Sequence, residues 1–103
     1  MNRTLLTAVI IVASCATVGA AQAAGDVAAG KVRAAACAGC HGPNGQGVPP
    51  NPPLAGIPEA DQVKALKDYK SGARPNAVMK GLAAALSDKD MEDVSAYYAS
   101  LKK

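Results

Sequence analysis

The segment from Gly42 to Pro58 constrains the fold of this chain most strongly. It contains four glycines and six prolines in seventeen residues. Such a composition excludes a regular helix or a central strand and predicts a series of turns. The segment also contains three apolar residues at intervals, Val48, Leu54 and Ile57. We therefore predict a long loop that packs against the rest of a compact domain.

Helical patterns lie on both sides of this loop. Residues 26–40 are rich in alanine and predict a first helix that ends at two cysteines. A second helix is predicted from Pro58, which a first helical turn tolerates, to Gly72, which ends it. Residues 75–86 have near-helical apolar spacing but contain Gly81, so both a helical turn and a loop stay open.

The last helix has the clearest signature. Ser87 and Asp90 form an acidic variant of the capping box, followed by further acidic residues that the helix dipole favours. Apolar residues repeat at helical spacing along one face: Met91, Val94, Tyr98 and Leu101. No segment of the sequence alternates with a strand period. The predicted fold is therefore all-α.

The amino terminus is interpreted as a secretory signal peptide, residues 1–23. Arg3 precedes the apolar run of residues 5–12, and Ala21-Gln22-Ala23 forms an A-x-A cleavage site. Residues 24–103 are then predicted to form one exported domain, located in the periplasm.

Two alternatives would keep the amino terminus in a membrane. A retained anchor is disfavoured because the apolar core is shorter than the roughly 20 residues that span a bilayer. A lipoprotein tether stays open as a minor alternative, because Val12-Ala13-Ser14 before Cys15 loosely resembles a bacterial lipoprotein cleavage box. That box lacks leucine at its first position, so we predict an untethered protein.

The charge balance disfavours nucleic acid as a partner. Without Arg3, the chain has ten basic and eight acidic residues. There is no basic run beyond Lys102-Lys103, and there is no Trp or Phe on which bases would stack. The scattered lysines indicate a solvated surface.

The exported part is small for a self-sufficient core. It lacks Trp and Phe and keeps three tyrosines. Chains of this size usually need disulfides, a metal or another cross-link. Only Cys37 and Cys40 remain after processing, so the choice lies between one disulfide, a metal site and a covalently attached cofactor.

The sequence Cys37-Ala38-Gly39-Cys40-His41 is the attachment pattern for haem c. Two cysteines on one helical turn can each bond one vinyl group on the same edge of the porphyrin. The next residue, His41, is then directed at the iron. Because Cys and His are both rare in average composition, the pattern seldom arises by chance. It predicts one haem c attached through Cys37 and Cys40, with His41 as an axial ligand.

Three other interpretations of the motif are weaker. A thioredoxin-like redox pair would follow a strand, and the sequence predicts none before Cys37. A disulfide at this spacing would be strained and would leave His41 without a role. A zinc site would need a fourth ligand, and the exported part contains no further Cys or His.

The sixth iron ligand decides between electron transfer and ligand-binding chemistry. His41 is the only histidine, so Met79, Met91, a lysine or an open position are the candidates. Met91 falls on the apolar face of the last helix, where methionine usually fills a core. Met79 lies between a proline and a glycine, in a segment free to cross the far side of the ring. We therefore favour Met79.

These residues resemble the class I cytochromes c, in particular the short bacterial periplasmic kind with one haem, which is also found as each half of dihaem cytochromes. The resemblance covers the chain from Gly25 to Leu101. It rests on four segments: Cys37 to His41, Pro52 to Gly56, Asn76 to Gly81, and Leu86-Ser87-Asp88 leading into Ala96-Tyr97-Tyr98. It implies a small fold of about three to four helices wrapped around one haem.

The resemblance also implies roles for single residues. Met79 matches the ligand methionine of the family. Pro52 matches the proline whose carbonyl accepts the Nδ1 proton of the ligand histidine. Leu54 matches an apolar residue against the ring. Gly30 and Tyr97 match the close crossing of the first and last helices, where glycine lets an aromatic residue approach the backbone.

The implied function is that of an electron carrier and not of an enzyme. The expected partners are redox proteins that donate and accept electrons, with transient docking to a membrane oxidase or reductase, and we expect a monomer. Arg74 and Lys80 are equally placed to border the haem edge or to pair with a propionate. Two alternatives stay open, a five-coordinate haem for gas sensing or peroxidase chemistry and a subunit of a larger redox complex.

Overall fold

The computed structural model describes residues 25–103, and the regular secondary structure in that range is helical. The predicted signal peptide and the Cys15 alternative lie outside the described residues. Five helices occur in the described part: α1 (Val27–Arg33), α2 (Ala35–His41), α3 (Glu59–Ser71), α4 (Ala77–Ala84) and α5 (Asp88–Ser100). The described residues contain one isolated β-bridge, Val48 to Asn51, and no strand. The all-α prediction is confirmed.

The predicted first helix is divided at Ala34. Its start is capped by Asp26, whose carboxylate accepts from the backbone N–H groups of Ala28 and Ala29. The backbone dihedral angles of Ala34 are still right-handed helical. The turn is tighter there, because the N–H of Cys37 donates to the carbonyl three residues before it, that of Ala34, at 2.9 Å. Composition could not predict this division, because alanine favours helix on both sides of it.

Helix α1 crosses α5 at Gly30. A Cβ added there would overlap the carbonyl of Asp93 and lie 2.9 Å from the Cβ of Tyr97, so only glycine fits. The crossing is also tied at its end, because the carboxylate of Asp93 accepts from the N–H of Asp26 at 2.8 Å. The helix crossing implied by the resemblance is therefore present.

The other helices begin and end close to where the sequence predicts. The structure changes the position of Pro58 and decides between helix and loop for residues 75–86. Pro58 is the residue just before α3 and not part of its first turn, and Gly72 ends α3 with a φ of 88°. The uncertain segment 75–86 contains a helix, α4, capped by Asn76. The capping box of Ser87 and Asp90 is present at the start of α5.

A small core joins α1, α2 and α5. Its fully buried centre consists of Ala34, Val94 and Tyr98, and half-buried apolar side chains pack around it: Cys37, Leu54, Tyr97 and Leu101. Leu54 brings the proline-rich loop into this core. The core therefore holds the first cysteine of the motif and the loop against the last helix.

The proline-rich loop is ordered by backbone hydrogen bonds. The N–H of Gly47 donates to the carbonyl of His41 at 2.8 Å, and the N–H of Leu54 donates to the carbonyl of Gly45 at 2.7 Å. The N–H of Gly56 reaches the carbonyl of Tyr98 on α5 at 2.9 Å. The loop thus packs as predicted. No helix in the range 25–103 is long and apolar enough to cross a membrane.

Candidate cofactor site

A cavity of about 580 Å³ opens between α2, the proline-rich loop, α3 and α4. Its volume lies within the range of roughly 300–1,000 Å³ that is usual for ligand and cofactor sites. All six residues predicted to hold the cofactor line it: Cys37, Cys40, His41, Pro52, Leu54 and Met79. Segments that are distant in sequence therefore meet at one site.

Two sides of this cavity differ in construction. The histidine side consists of residues 37–54, which include the CxxCH motif and most of the proline-rich loop. The methionine side consists of residues 76–84, which are Asn76 and helix α4.

On the histidine side, α2 presents both cysteines and then ends at His41. Cys37 is half-buried, Cys40 is exposed, and both are free thiols. Burial raises the pKa of the Cys37 thiol above its usual value, while a hydrogen bond with the Tyr98 hydroxyl acts in the opposite direction. The raised pKa favours the thiol form of Cys37, the form that adds across a vinyl group.

The ring of His41 is held in one orientation. His41 is only 6% exposed, and its Nδ1 lies 2.8 Å from the carbonyl oxygen of Pro52. A carbonyl can only accept, so Nδ1 carries the proton and donates. The lone pair of Nε2 is then free for a metal. In a neutral ring, this hydrogen bond therefore selects the tautomer that presents Nε2 to a metal.

Two side chains that the sequence analysis did not single out support the histidine side. The Asn51 Nδ2 donates to the carbonyl of Cys40 at 2.9 Å, which ties the loop to the motif. The Gln62 Nε2, from α3, donates to the carbonyl of Leu54 at 2.8 Å. Gln62 is 6% exposed, yet it lies in a polar helical stretch where no pattern marks a glutamine as buried.

On the methionine side, Met79 is half-buried on the first turn of α4. The side-chain oxygen of Asn76 accepts from the backbone N–H of Met79 at 3.0 Å and so caps the helix. Met91, the rival ligand candidate, is fully buried in α5. Among residues 25–103, Met79 is the one methionine that lines the cavity.

The cavity carries cationic groups together with its apolar wall. Arg33 lines it and forms an ion pair with Asp90, with Nε to Oδ1 at 3.2 Å. Arg74 also lines it, and its guanidinium lies 4.8 Å from the centroid of the Tyr69 ring. Guanidinium groups bind carboxylates in paired hydrogen bonds. An apolar cavity with two guanidinium groups fits a haem, which has an apolar ring and two propionates.

Comparison with known proteins gives a consistent result. Residues 27–102 match the family model described as cytochrome c. Cytochrome c4 from Pseudomonas aeruginosa is 48% identical over 85 residues, which cover 82% of this chain and 42% of that protein. Cytochrome c-554(548) from Halomonas halodenitrificans is 41% identical over 81 residues, which cover 75% of this chain and 98% of that protein.

The fold has a close match among solved structures. The cytochrome c4 structure from Acidithiobacillus ferrooxidans aligns with a TM-score of 0.73 at 32% identity, over 76% of this chain and 51% of that one. The chain thus spans about half the length of the cytochrome c4 relatives that it matches. This agrees with the predicted likeness to one half of a dihaem cytochrome.

Proposed function

This chain belongs to the cytochrome c family, and we propose that it carries single electrons in the periplasm through a haem whose iron is held by His41 and Met79. The cofactor of the family is covalently attached haem c. The observation that carries the proposal is the cavity, because it brings the CxxCH motif and one methionine together.

Each predicted site residue has a distinct role in this proposal. Cys37 and Cys40 would hold the haem through thioether bonds, and His41 would bind the iron through Nε2. Met79 would provide sulfur from the methionine side of the cavity. When bound, the haem supplies a one-electron couple between Fe(II) and Fe(III) whose potential depends on its ligands.

The surrounding residues tune this couple. The methionine sulfur favours the reduced iron and raises the potential, whereas the hydrogen bond from His41 to Pro52 makes the imidazole a stronger donor. Leu54 supplies apolar contact beside the ring. Arg33 and Arg74 both line the cavity and are placed to neutralise propionates. Lys80 is not among the described residues that line it.

We expect redox proteins as partners, in keeping with the family. In this proposal both axial ligands come from the chain itself, so electron transfer needs only a brief encounter with a donor or an acceptor. Redox encounters of this type usually bury less than about 1,200 Å². The proposal therefore assigns a monomer that docks transiently, for example on a membrane oxidase or reductase, and no substrate chemistry.

Replacement of each of the two methionines in turn tests the ligand assignment. The haem protein is prepared as wild type, Met79→Leu and Met91→Leu, and the ferric visible spectrum is recorded. We expect Met79→Leu to lose the weak sulfur-to-iron band at the red end of the spectrum and to lower the reduction potential. Met91→Leu is the matched control, because it conserves volume in the core and should cost less than about 1.5 kcal/mol.

The outcomes separate the candidates clearly. If Met91→Leu loses the band while Met79→Leu keeps it, the ligand assignment is wrong. If the wild-type protein lacks the band and binds carbon monoxide readily, the haem is five-coordinate and the electron-carrier proposal fails. A haem stain on a denaturing gel of the same samples checks covalent attachment through Cys37 and Cys40.

A further inference from the structure

The cap of helix α4 acts directly on the residue proposed as ligand. Asn76 has an extended backbone, with φ −169° and ψ 111°, and its side-chain oxygen accepts from the N–H of Met79. Its own carbonyl accepts from the N–H of Lys80 at 2.8 Å. Asn76 therefore makes two of the hydrogen bonds that define the first turn around Met79.

Apart from its packing on α3 and the side chains that it turns toward the cavity, helix α4 has little else to keep it folded. It has eight residues, and Ala83 is the one fully buried residue among them. Val78 is 67% exposed, and Lys80 is exposed as well. A short helix with so little buried surface is weakly held, because packing offsets only part of its nucleation cost. Such a helix depends strongly on its N-cap.

We propose that Asn76 is a positioning residue that controls how firmly Met79 is held on the iron. The inference rests on the proposed function, in which Met79 is the sixth ligand. Asn76 itself touches no reacting atom in this account. It acts by keeping the first turn of α4 formed, so that the sulfur of Met79 stays inside the cavity.

This role predicts competition with an external ligand. Imidazole can bind the ferric iron only when Met79 is released, so its apparent affinity reports the population of the released state. Loss of an N-cap costs a helix about 1 kcal/mol, which corresponds to a factor of about five in an equilibrium constant. Asn76→Ala should therefore bind imidazole about fivefold more tightly than the wild type.

The chain supplies a matched control. Ser87 caps α5 in the same manner, since its Oγ accepts from the N–H of Asp90 at 3.1 Å. The first turn of α5 carries no proposed ligand. Ser87→Ala should lower the global stability to a similar extent without changing the affinity for imidazole. Asn76→Ser retains an acceptor that caps helices well, and it should restore near-wild-type affinity.

The experiment titrates imidazole into the ferric haem protein of all four sequences and records urea unfolding of each. The expected result is tight imidazole binding in Asn76→Ala alone, and a weaker sulfur-to-iron band in that variant. Equal affinities in Asn76→Ala and Ser87→Ala would overturn the positioning role. Because Asn76 is exposed, Asn76→Ala should fold. Amide hydrogen exchange in the wild type provides a second measurement, in which the N–H of Met79 should exchange more slowly than the N–H of Val78.

Met79→Leu in the same titration separates this inference from the proposed function. If Met79→Leu binds imidazole far more tightly than the wild type while Asn76→Ala does not, Met79 is the ligand and only the role of Asn76 fails. If Met79→Leu matches the wild type in both band and affinity, the ligand assignment fails and the positioning role fails with it.

Discussion

The histidine side and the methionine side of the cavity are held by different means. On the histidine side, hydrogen bonds cross between separate segments: His41 to Pro52, Asn51 to Cys40, and Gln62 to Leu54. On the methionine side, a short and largely exposed helix is held by its own cap at Asn76. The comparison indicates that ligand exchange should occur at the methionine while the histidine stays bound.

The difference follows from what each side packs against. The proline-rich loop closes on Tyr98, which is 1% exposed, and on the α1–α5 crossing behind it. Opening the histidine side would therefore disturb the core. Helix α4 is held more loosely, since it packs mainly on α3. Just after this helix, the exposed Lys70 Nζ donates to the carbonyl of Leu86 at 3.0 Å. Its opening should require only local unfolding.

The largest effect is expected at the crossing that supports the histidine side. Gly30→Ala would press a methyl group into the backbone carbonyl of Asp93 and should destabilise the haem protein by about 3 kcal/mol or more. Urea unfolding followed by the visible spectrum measures this loss. A stability close to wild type would show that the helices can separate without cost and that the histidine side lacks the rigid support described above.

A second effect concerns the bond from α3 to the loop. Gln62→Leu leaves the carbonyl of Leu54 without its donor and should cost about 1–3 kcal/mol, with a shift in the reduction potential. Lys64→Ala on the same helix is the control. Lys64 forms an exposed ion pair with Asp68 at 2.7 Å, and its loss should cost under about 1 kcal/mol. Equal losses in both variants would contradict a special role for Gln62.

Acid should loosen the support of the histidine side. The hydrogen bond from the N–H of Asp26, together with Lys89, lowers the pKa of the Asp93 carboxyl below its usual value. Because the pKa of this carboxyl is lower in the folded state, its contribution to stability is complete above the pKa of the unfolded state, near pH 4. The contribution is lost as the pH falls through the pKa of the folded state. Unfolding experiments from pH 6 to pH 2 should show this loss, and Asp93→Asn should have a flatter profile.

The smallest effect is expected on the methionine side. A Cβ added at Gly81 would meet no described heavy atom within 4 Å, and the residue lies inside α4. Gly81→Ala should therefore stabilise this helix by about 0.5–1 kcal/mol. The affinity of the ferric protein for imidazole should fall two- to fivefold. An unchanged affinity would indicate that the stability of α4 does not limit release of Met79.

Much of the fold and of the candidate site could be predicted from local patterns. The capping box at Ser87 and the turns between Gly42 and Pro58 each follow from a rule that involves few neighbouring residues, whereas the glycine at the helix crossing was implied only by the resemblance to the class I cytochromes c. The CxxCH motif likewise carries its chemistry within five positions. These features can be predicted from the sequence because backbone geometry or covalent chemistry allows few alternatives at each of them.

Other features depended on tertiary contacts. The division of the first helix at Ala34 has no sequence signal, because alanine is suited to both sides of it. The burial of Gln62 and the bond from Asn51 to Cys40 join segments that only the folded chain brings together. The segment around Met79 was ambiguous between helix and loop, and the cap provided by Asn76 explains why a helix forms there.

A redox titration of the intact haem protein, with the visible spectrum recorded at each potential, tests the central claim most directly. The account predicts a single one-electron transition at a positive potential for a haem protein, with the sulfur-to-iron band present in the oxidised form and recovered on reoxidation. A low potential without that band, or a reduced form that binds carbon monoxide at once, would contradict ligation by His41 and Met79.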